Sequence, residues 1–171
     1  VLDDAYTIKR IVYSTYQAVS GAGKKGIVDL ENGIKHYITD KAYSNEETIQ
    51  DILPSSSMAV YSLQKFPYPI FSNCLPHIDV FLENGYSKEE EKMINETRKI
   101  LKNPTLKVTA TTVRVPVFNC HGESINVELE NDFDLQNLIS LLKSSPHIIV
   151  EDDKEPLAYP IASKVSGKDD I

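Results

Sequence analysis

The sequence predicts an α+β fold in which a mixed, largely antiparallel sheet carries its helices on one face. Segments of β-branched residues with two-residue alternation occur along the chain, and segments with apolar residues at helical spacing lie between them. The two kinds do not alternate one for one, as they do in a doubly wound parallel sheet. Because such a sheet has a second face, we expect a twin subunit to bury it.

Composition excludes several classes of function. The 171 residues suffice for one domain with its own core, and we treat residues 1–171 as one unit. A formal net charge of −7 opposes nucleic-acid binding, and no apolar run approaches the ~18 residues of a membrane span. The two cysteines, Cys74 and Cys120, form no regular framework, which favours a reducing cytoplasm. With His77 and His121 they give poor tetrahedral spacing, so no metal is expected.

The first half of the chain predicts a strand, a turn and a helix. Residues 11–17 have the β-branched and aromatic density of a buried strand, and residues 24–37 have apolar positions at helical spacing. Residues 39–57 are polar and are predicted as surface loop with room for one short helix. Residues 66–71 are apolar but contain two prolines, which donate no hydrogen bond to a sheet, so we expect an edge or an extended crossover.

The second half contains the clearest helix signal. Ser87 and Glu90 form a capping-box pattern ahead of an apolar stripe that ends near residue 102. The tail over 151–171 is polar and charged and is predicted to be mostly loop. Between helix and tail, periodicity predicts four elements: strands over 106–118 and 124–130, a helix over 135–142 and a strand over 147–150.

A glycine-rich turn joins the first predicted strand to the first predicted helix. Gly21, Gly23 and Gly26 satisfy the pattern G-x-G-x-x-G, which binds dinucleotide phosphates where it directly follows a strand. Here Gln17 to Ser20 intervene, and the second strand of a Rossmann fold does not follow at the required distance. The turn is therefore either a simple connection or a backbone that a ligand approaches closely beside the Gln17 amide.

A cation and an imidazole mark a second candidate site. Arg114 shares strand parity with apolar residues, so its guanidinium would lie on a buried face. An unpaired buried guanidinium costs several kcal/mol, so Arg114 must meet an internal acid, leave the core at the strand end or bind an anionic ligand. His121 lies just beyond the strand, where an imidazole can exchange protons at neutral pH. Glu96 and Lys99 share a helix face, which alone predicts an ordinary ion pair.

Several motifs occur in a fixed order along nearly the whole chain: Ser14 to Gly23, Phe66-Pro67-Tyr68-Pro69-Ile70 with Asn73, Pro76-His77-Ile78-Asp79, Phe81-Leu82-Glu83-Asn84-Gly85-Tyr86, Glu96-Thr97-Arg98-Lys99-Ile100, and Arg114-Val115-Pro116-Val117-Phe118-Asn119-Cys120-His121. Together they resemble the aspartate-semialdehyde dehydrogenase family, closest to its Gram-positive type. The resemblance implies the C-terminal catalytic and dimerisation domain, with a fold like the C-terminal domain of glyceraldehyde-3-phosphate dehydrogenase. Cys120 and Gly122 replace a more usual glycine and serine, and neither change removes an implied role.

The resemblance also implies a reaction and partners. In this family a cysteine thiolate attacks the acyl phosphate of β-aspartyl phosphate, and NADPH reduces the thioester to aspartate β-semialdehyde for lysine, methionine and threonine synthesis. The cysteine is expected upstream of Gln17, before Val1, together with an N-terminal NADP-binding domain. The chain alone is therefore expected to be inactive, and to form a homodimer through the sheet face, with a tetramer as the alternative.

The family's functional residues carry over onto matching positions of this sequence. Gln17 would place the substrate beside the cysteine, and His121 would be the general acid/base. Arg114 would clamp the substrate α-carboxylate with its planar fork. Glu96 would meet the α-amino group, and Lys99 would meet the phosphate. The residues that contact the nicotinamide end of NADP would be Ser20, Gly21 and Gly23.

Two alternatives stay open from the sequence. One is a related reductase that acts on N-acetylglutamyl phosphate, and Glu96 would distinguish it because an acetylated amine offers no cation to a carboxylate. The other is a non-catalytic dimerisation module in which Arg114 and His121 are structural.

Overall fold

The computed structural model describes residues 1–43, 62–151, 158–169 and 171. Within these ranges, every helix is too short or too polar to cross a bilayer. The helices are Leu2–Tyr6 (α1), Lys24–Tyr43 (α2), Lys88–Ile100 (α3), Leu135–Lys143 (α4) and Ala162–Val165 (α5), with a 3₁₀ turn at Val19–Ala22. The strands are Ile8–Gln17 (β1), Lys107–Arg114 (β2) and Gly122–Leu129 (β3).

The three strands form one sheet with β1 at its centre, in the order β2-β1-β3. β1 runs parallel to β2 and antiparallel to β3, so the predicted α+β class and mixed sheet are confirmed. With one pair of each kind, antiparallel pairing does not predominate in the described residues. The register places Ile11 opposite both Val108 and Val127, and it places Gln17 opposite Arg114 at the carboxyl ends of the parallel pair.

Helix α3 covers one face of this sheet, as predicted, and Leu2 of α1 packs against the hydrophobic cluster on that face. Ile11 and Leu106 are buried there, and Leu101, just after α3, packs against the same cluster. The hydroxyl of Thr97 on α3 donates a hydrogen bond of 3.2 Å to the hydroxyl of Tyr13 on β1. The opposite face is more polar and remains partly exposed. It carries on β1 the residues Arg10, Val12, Ser14 and Tyr16.

The predicted capping box at the start of α3 is confirmed, and it also anchors the helix to the sheet. The Glu90 amide donates to Ser87 Oγ at 3.3 Å, and the Ser87 amide donates to Glu90 Oε2 at 2.7 Å. The other carboxylate oxygen of Glu90 accepts the amide of Thr112 on β2 at 3.0 Å. Because one carboxylate caps the helix and pairs with the edge strand, the first turn of α3 lies fixed beside the sheet.

A second hydrophobic cluster lies beyond the sheet, between the 3₁₀ turn, α2 and the segment around residues 66–75. Its buried members are Val19, Leu30, Phe66, Ile70 and Leu75. Gly26 on α2 lets these parts approach closely, since a Cβ there would lie 2.8 Å from the Val19 carbonyl oxygen and 3.1 Å from Phe66 Cζ.

Gly26→Ala should therefore destabilise the chain by about 1–3 kcal/mol, the usual cost of overpacking a core. Urea unfolding followed by circular dichroism measures this as a lower midpoint. Gly122→Ala is the matched control because its added Cβ would come no closer than 3.9 Å to a neighbouring side chain. Equal midpoints for the two variants would contradict the packing argument.

Several predicted boundaries were wrong. β2 ends at Arg114 rather than at residue 118, because the carbonyls of Val117 and Phe118 accept the amides of Val19 and Ser20 instead of a strand partner. α2 continues to Tyr43, so residues 39–43 are helical, while 44–57 lie outside the described residues.

At the two ends of the chain the predictions also missed features. Residues 147–150 form no strand; among the described residues their backbone pairs briefly with Ile171, whose carbonyl accepts the Ile149 amide at 2.7 Å. α1 was not predicted because its five residues carry no apolar periodicity. Residues 66–71 form no central strand, as the two prolines predicted, but they contain bends and a turn and are not an edge strand.

Candidate active site

Two polar side chains meet where the parallel strands end. Gln17 closes β1 and Arg114 closes β2, and the register sets them side by side on the covered face. Both are buried, with 4% and 7% of their surfaces exposed. Parallel neighbours bring their carboxyl ends to the same edge of a sheet, so residues 97 positions apart become neighbours. The buried guanidinium predicted from strand parity is confirmed.

The backbone of Ala18 joins Arg114 to His121. Arg114 Nη1 donates to the Ala18 carbonyl oxygen at 2.8 Å, and the Ala18 amide donates to His121 Nδ1 at 3.2 Å. Since Nδ1 accepts a hydrogen bond, the neutral imidazole carries its proton on Nε2. The structure thus brings Gln17, Arg114 and His121 together around one residue.

The glycine turn packs against the same two side chains. A Cβ at Gly21 would lie 3.0 Å from Arg114 Nη1 and 3.4 Å from His121 Nε2, so a larger residue would displace them. Gly23 has φ of 77°, a left-handed conformation that glycine adopts without strain. With Gly26 packed against Val19 and Phe66, all three glycines of the G-x-G-x-x-G match are explained by local geometry.

The first turn of α3 supplies a carboxylate, Glu89, that no motif in the sequence marked. Gln17 Nε2 donates to Glu89 Oε1 at 3.2 Å, and Lys92 Nζ lies 3.5 Å from Glu89 Oε2. Glu89 and Lys92 have the same three-residue spacing as Glu96 and Lys99 and lie about two turns earlier on the same face of α3. Only the position of the helix N-terminus against the sheet, which Glu90 fixes, distinguishes the two pairs.

Glu96 and Lys99 do not join the site. Both are exposed on α3, and neither borders the cleft beside Arg114. The structure therefore does not bring these two predicted substrate-binding residues to Gln17, Arg114 and His121. Their helix extends away from the strand ends, so that its second half packs over the middle and start of the sheet, where Thr97 contacts Tyr13.

A cleft of about 610 Å³ opens beside Arg114. Gln17 bonds to the lining residue Glu89, and His121 lies next to the lining residue Gly21, where an added Cβ would be 3.4 Å from the imidazole. In the described part of the chain, no group of three or more histidine, cysteine or acidic residues is arranged to hold a metal ion. The residues that line the cleft include Gly21, Lys65, His77, Asp79, Glu89 and Arg114.

The cleft carries charges of both signs, since Lys65 and Arg114 line it together with Asp79 and Glu89. Burial lowers the pKa of Arg114, and the nearby Glu89 carboxylate partly offsets this effect. Burial and the positive charge of Arg114 also lower the pKa of His121, against the opposing effect of Glu123 and Glu89. Gln17 Oε1 and Arg114 Nε are buried and have no hydrogen-bond partner among the described residues. Unpaired polar atoms of this kind are costly unless a ligand or water satisfies them.

Fold and site together define a domain of the semialdehyde dehydrogenase class. The family model described as "Semialdehyde dehydrogenase, dimerisation domain" matches residues 1–171, and the chain belongs to this family.

Its relatives are aspartate-semialdehyde dehydrogenases, as the motifs predicted. The enzyme of Aquifex aeolicus is 44% identical over 98% of this chain and 44% of its own length, and that of Bacillus subtilis is 38% identical over 98% and 45%. The solved aspartate semialdehyde dehydrogenase of Francisella tularensis is 26% identical, with a TM-score of 0.80 over 99% of this chain and 48% of its own. The chain thus spans less than half the length of the relatives it matches.

Proposed function

We propose that this chain is the catalytic and dimerisation half of an NADP-dependent aspartate-semialdehyde dehydrogenase. The observation that carries the proposal is the meeting of Gln17, Arg114 and His121 around the Ala18 backbone. These residues lie far apart in the sequence, and an amide, a guanidinium and an imidazole suit an acidic substrate that undergoes proton transfer. The reaction would be the reductive dephosphorylation of β-aspartyl phosphate to aspartate β-semialdehyde.

Arg114 would bind the substrate α-carboxylate. One of its amino groups is committed to the Ala18 carbonyl, which fixes the plane of the guanidinium. Its Nε is buried without a partner among the described residues, so a donor remains for a bound carboxylate. A substrate carboxylate would offset the burial that lowers the pKa of Arg114.

His121 would hold the exchangeable proton. Its Nδ1 is committed to the Ala18 amide, so the proton on Nε2 is the one available to a substrate that gains negative charge. Gln17 would orient the substrate, because its buried Oε1 still lacks a donor in the described structure while its Nε2 bonds to Glu89. The thiol nucleophile would belong to the longer protein.

Glu89 and Lys92 are better candidates than Glu96 and Lys99 for the roles that the resemblance assigned to that helix. Glu89 borders the cleft with Arg114, and its carboxylate would meet the substrate α-amino group. Lys92 is paired with Glu89 and adds positive charge near His121, whose pKa it helps to lower.

Glu89→Gln should raise KM for the substrate at least about tenfold, because one charge-assisted bond contributes about 1.5–3 kcal/mol. The glutamine oxygen can still accept from Gln17, so the local fold should persist. Glu96→Gln is the matched control on the same helix and should leave KM unchanged. Steady-state kinetics of the full-length protein measures both; an effect of Glu96→Gln alone would restore the original assignment.

NADP would bind mainly to the part of the longer protein outside this chain. The turn Ser20–Gly23 is partly exposed, and Gly21 borders the cleft, so these residues fit contact with one end of the cofactor. A side chain at position 21 would crowd Arg114 and His121, which explains the glycine there without a bound phosphate. When bound, NADPH would supply the reducing equivalents.

The partner of this chain would be a second copy, consistent with the dimerisation-domain family. The uncovered sheet face is the candidate interface, and a tetramer built on that dimer stays open. Tyr16 is 52% exposed there, among serine, threonine and valine neighbours on adjacent strands, and such a mixed surface is typical of protein interfaces.

The test is the NADP-dependent, phosphate-requiring oxidation of aspartate β-semialdehyde. The full-length protein should catalyse it, and the 171-residue chain alone should not. Turnover by the isolated chain would contradict the assignment to half of the enzyme. Preference for N-acetylglutamate semialdehyde would favour the related reductase, and a dimer inactive on both substrates would favour the non-catalytic module.

A further inference from the structure

The outer edge of β2 is closed by groups that do not belong to the sheet. β1 pairs with only one side of β2, in the order β2-β1-β3. On the other side, the backbone of Arg114 exchanges two hydrogen bonds with Leu75, of 2.8 and 2.9 Å. Two residues earlier, the Thr112 amide points the same way and donates to Glu90 Oε1 at 3.0 Å. A side-chain carboxylate therefore takes the place that the backbone of a further strand would occupy on this edge.

The contact between Glu90 and β2 also holds the start of α3. Glu90 Oε2 accepts the Ser87 amide at 2.7 Å, so one carboxylate bonds to the helix start and to the strand. Ser87 and Thr112 each have 0% of their surfaces exposed, and their hydroxyl oxygens lie 3.4 Å apart. A buried amide left without an acceptor is unfavourable, so these bonds fix the helix start against the strand.

Glu89 precedes Glu90 by one residue and faces a different part of the molecule. Successive side chains on a helix point about 100° apart, so Glu90 meets the edge of β2 while Glu89 faces the strand ends. There its carboxylate accepts the Gln17 side-chain amide at 3.2 Å and borders the cleft together with Arg114. The bonds of Glu90 to the sheet thus set the position of Glu89 in the cleft.

We propose that Glu90 is a positioning residue for recognition of the substrate α-amino group. The inference rests on the proposed function, in which the Glu89 carboxylate meets that group. Glu90 is not among the described residues that line the cleft, and it acts through the Ser87 and Thr112 amides. The carboxylate that meets the ligand and the carboxylate that places it are therefore adjacent in the sequence.

Glu90→Gln in the full-length enzyme tests the positioning role. Glutamine has the same length, but it offers one acceptor oxygen in place of two, so the Ser87 or the Thr112 amide loses its partner. A small displacement of a binding group is enough to weaken its contact, so we expect KM for the semialdehyde to rise at least about fivefold. The value of kcat should change less than about twofold, because His121 keeps its bond to Ala18. Steady-state kinetics measures both constants.

Two control variants separate this role from loss of charge and from loss of stability. Glu91→Gln removes the same charge from the same helix turn, and the Glu91 carboxylate bonds to the side chains of Asn84 and Asn95 rather than to β2. Asp134→Ala removes the carboxylate that caps α4, where it accepts the Asn137 amide at 2.9 Å. Both variants should leave KM for the semialdehyde within about twofold of the wild-type value.

Succinate semialdehyde, the same molecule without the α-amino group, distinguishes the positioning of Glu89 from a general distortion of the cleft. A distortion would weaken the binding of both compounds. If Glu90 acts through Glu89, the inhibition constant of succinate semialdehyde as a competitor should change less than about twofold in Glu90→Gln, because Glu89 has no amine to meet. In the Glu89→Gln background, Glu90→Gln should raise KM for aspartate β-semialdehyde by less than about twofold, because the two residues act in series.

Glu90→Asp is the second variant, for the case in which Glu90→Gln does not fold. It keeps the charge on a side chain one methylene shorter, which cannot reach both the helix start and the strand. It should raise KM for aspartate β-semialdehyde in the same direction and leave the inhibition constant of succinate semialdehyde unchanged.

The outcomes separate this inference from the proposed function. A wild-type enzyme that does not oxidise aspartate β-semialdehyde in the presence of NADP and phosphate would overturn the proposed function. An active wild-type enzyme whose KM is unchanged in Glu90→Gln and Glu90→Asp, or raised as much by Glu91→Gln or Asp134→Ala, would overturn this inference alone. So would an equal loss of affinity for succinate semialdehyde, or an undiminished effect of Glu90→Gln in the Glu89→Gln background.

Discussion

Replacing His121 by asparagine in the full-length protein should lower kcat by about 100- to 10,000-fold, the usual contribution of a positioned acid or base. The asparagine Oδ1 can still accept the Ala18 amide that Nδ1 accepts, so the strand ends should stay in place. What is lost is Nε2 and its proton. KM should change little, because His121 contributes to the transition state more than to binding. Initial rates at saturating substrate measure the loss.

His121→Gln is the matched control for hydrogen bonding without proton exchange. Its longer amide can reach toward the position of Nε2 but does not titrate, so it should be about as inactive as His121→Asn. Near-normal activity in His121→Gln would show that a hydrogen-bond donor suffices and would contradict the general acid/base role.

The pH profile of the wild-type enzyme should reflect the environment of His121. Protonation of Nδ1 would break the bond from the Ala18 amide, so activity should fall as the pH falls through the pKa of His121. Burial and Arg114 lower that pKa. In the pH profile of kcat/KM, the midpoint of the acidic side should therefore lie below ~6.5, the pKa of an ordinary histidine.

The local elements could be predicted because their signals lie within short windows of sequence. The start of α3 could be predicted because its capping box, Ser87 and Glu90, lies within four consecutive residues. The buried position of Arg114 could be predicted because side chains in β2 alternate between the two faces of the sheet, and Arg114 falls on the same face as Ala110 and Thr112. The end of β2 was missed since Val117 and Phe118 pair with the 3₁₀ turn, a contact about 98 residues away in the chain.

The sequence could not show which part of α3 lies beside Gln17 and Arg114. Glu89 and Glu96 each precede a lysine by three residues on α3, and periodicity treats them alike. What separates them is the bond from the Thr112 amide to Glu90, which sets the first turn of the helix beside the strand ends. The buried Asp29 is a similar case, because the backbone amides that its carboxylate accepts lie 35 to 37 residues away in the chain.

The role of Ala18 was hidden for a different reason. Its backbone carbonyl and amide join Arg114 and His121, and backbone groups carry no sequence signal. The sequence did place Arg114 and His121 in one motif and Gln17 in another. That they converge follows from the parallel register of β1 and β2, a property of the whole sheet.

Arg114→Lys in the full-length protein should raise KM for the semialdehyde about 10- to 100-fold, the effect of losing one good bond of a bidentate, charge-assisted pair at about 1.5–3 kcal/mol. Lysine keeps the positive charge but cannot both donate to the Ala18 carbonyl and present a planar fork to a carboxylate. Steady-state kinetics with varied semialdehyde measures the change. An unchanged KM would remove Arg114 from substrate binding.

Arg114→Gln separates the charge of this residue from its geometry. The positive charge of Arg114 disfavours a second charge on His121 and so lowers its pKa. Without that charge His121 protonates more readily, so the acidic limb of kcat/KM should move to higher pH in Arg114→Gln. In Arg114→Lys the charge remains, and the limb should stay close to its wild-type position although KM is raised. If both variants left the limb unmoved, Arg114 and His121 would not share one electrostatic site, and the coupling through Ala18 would be structural only.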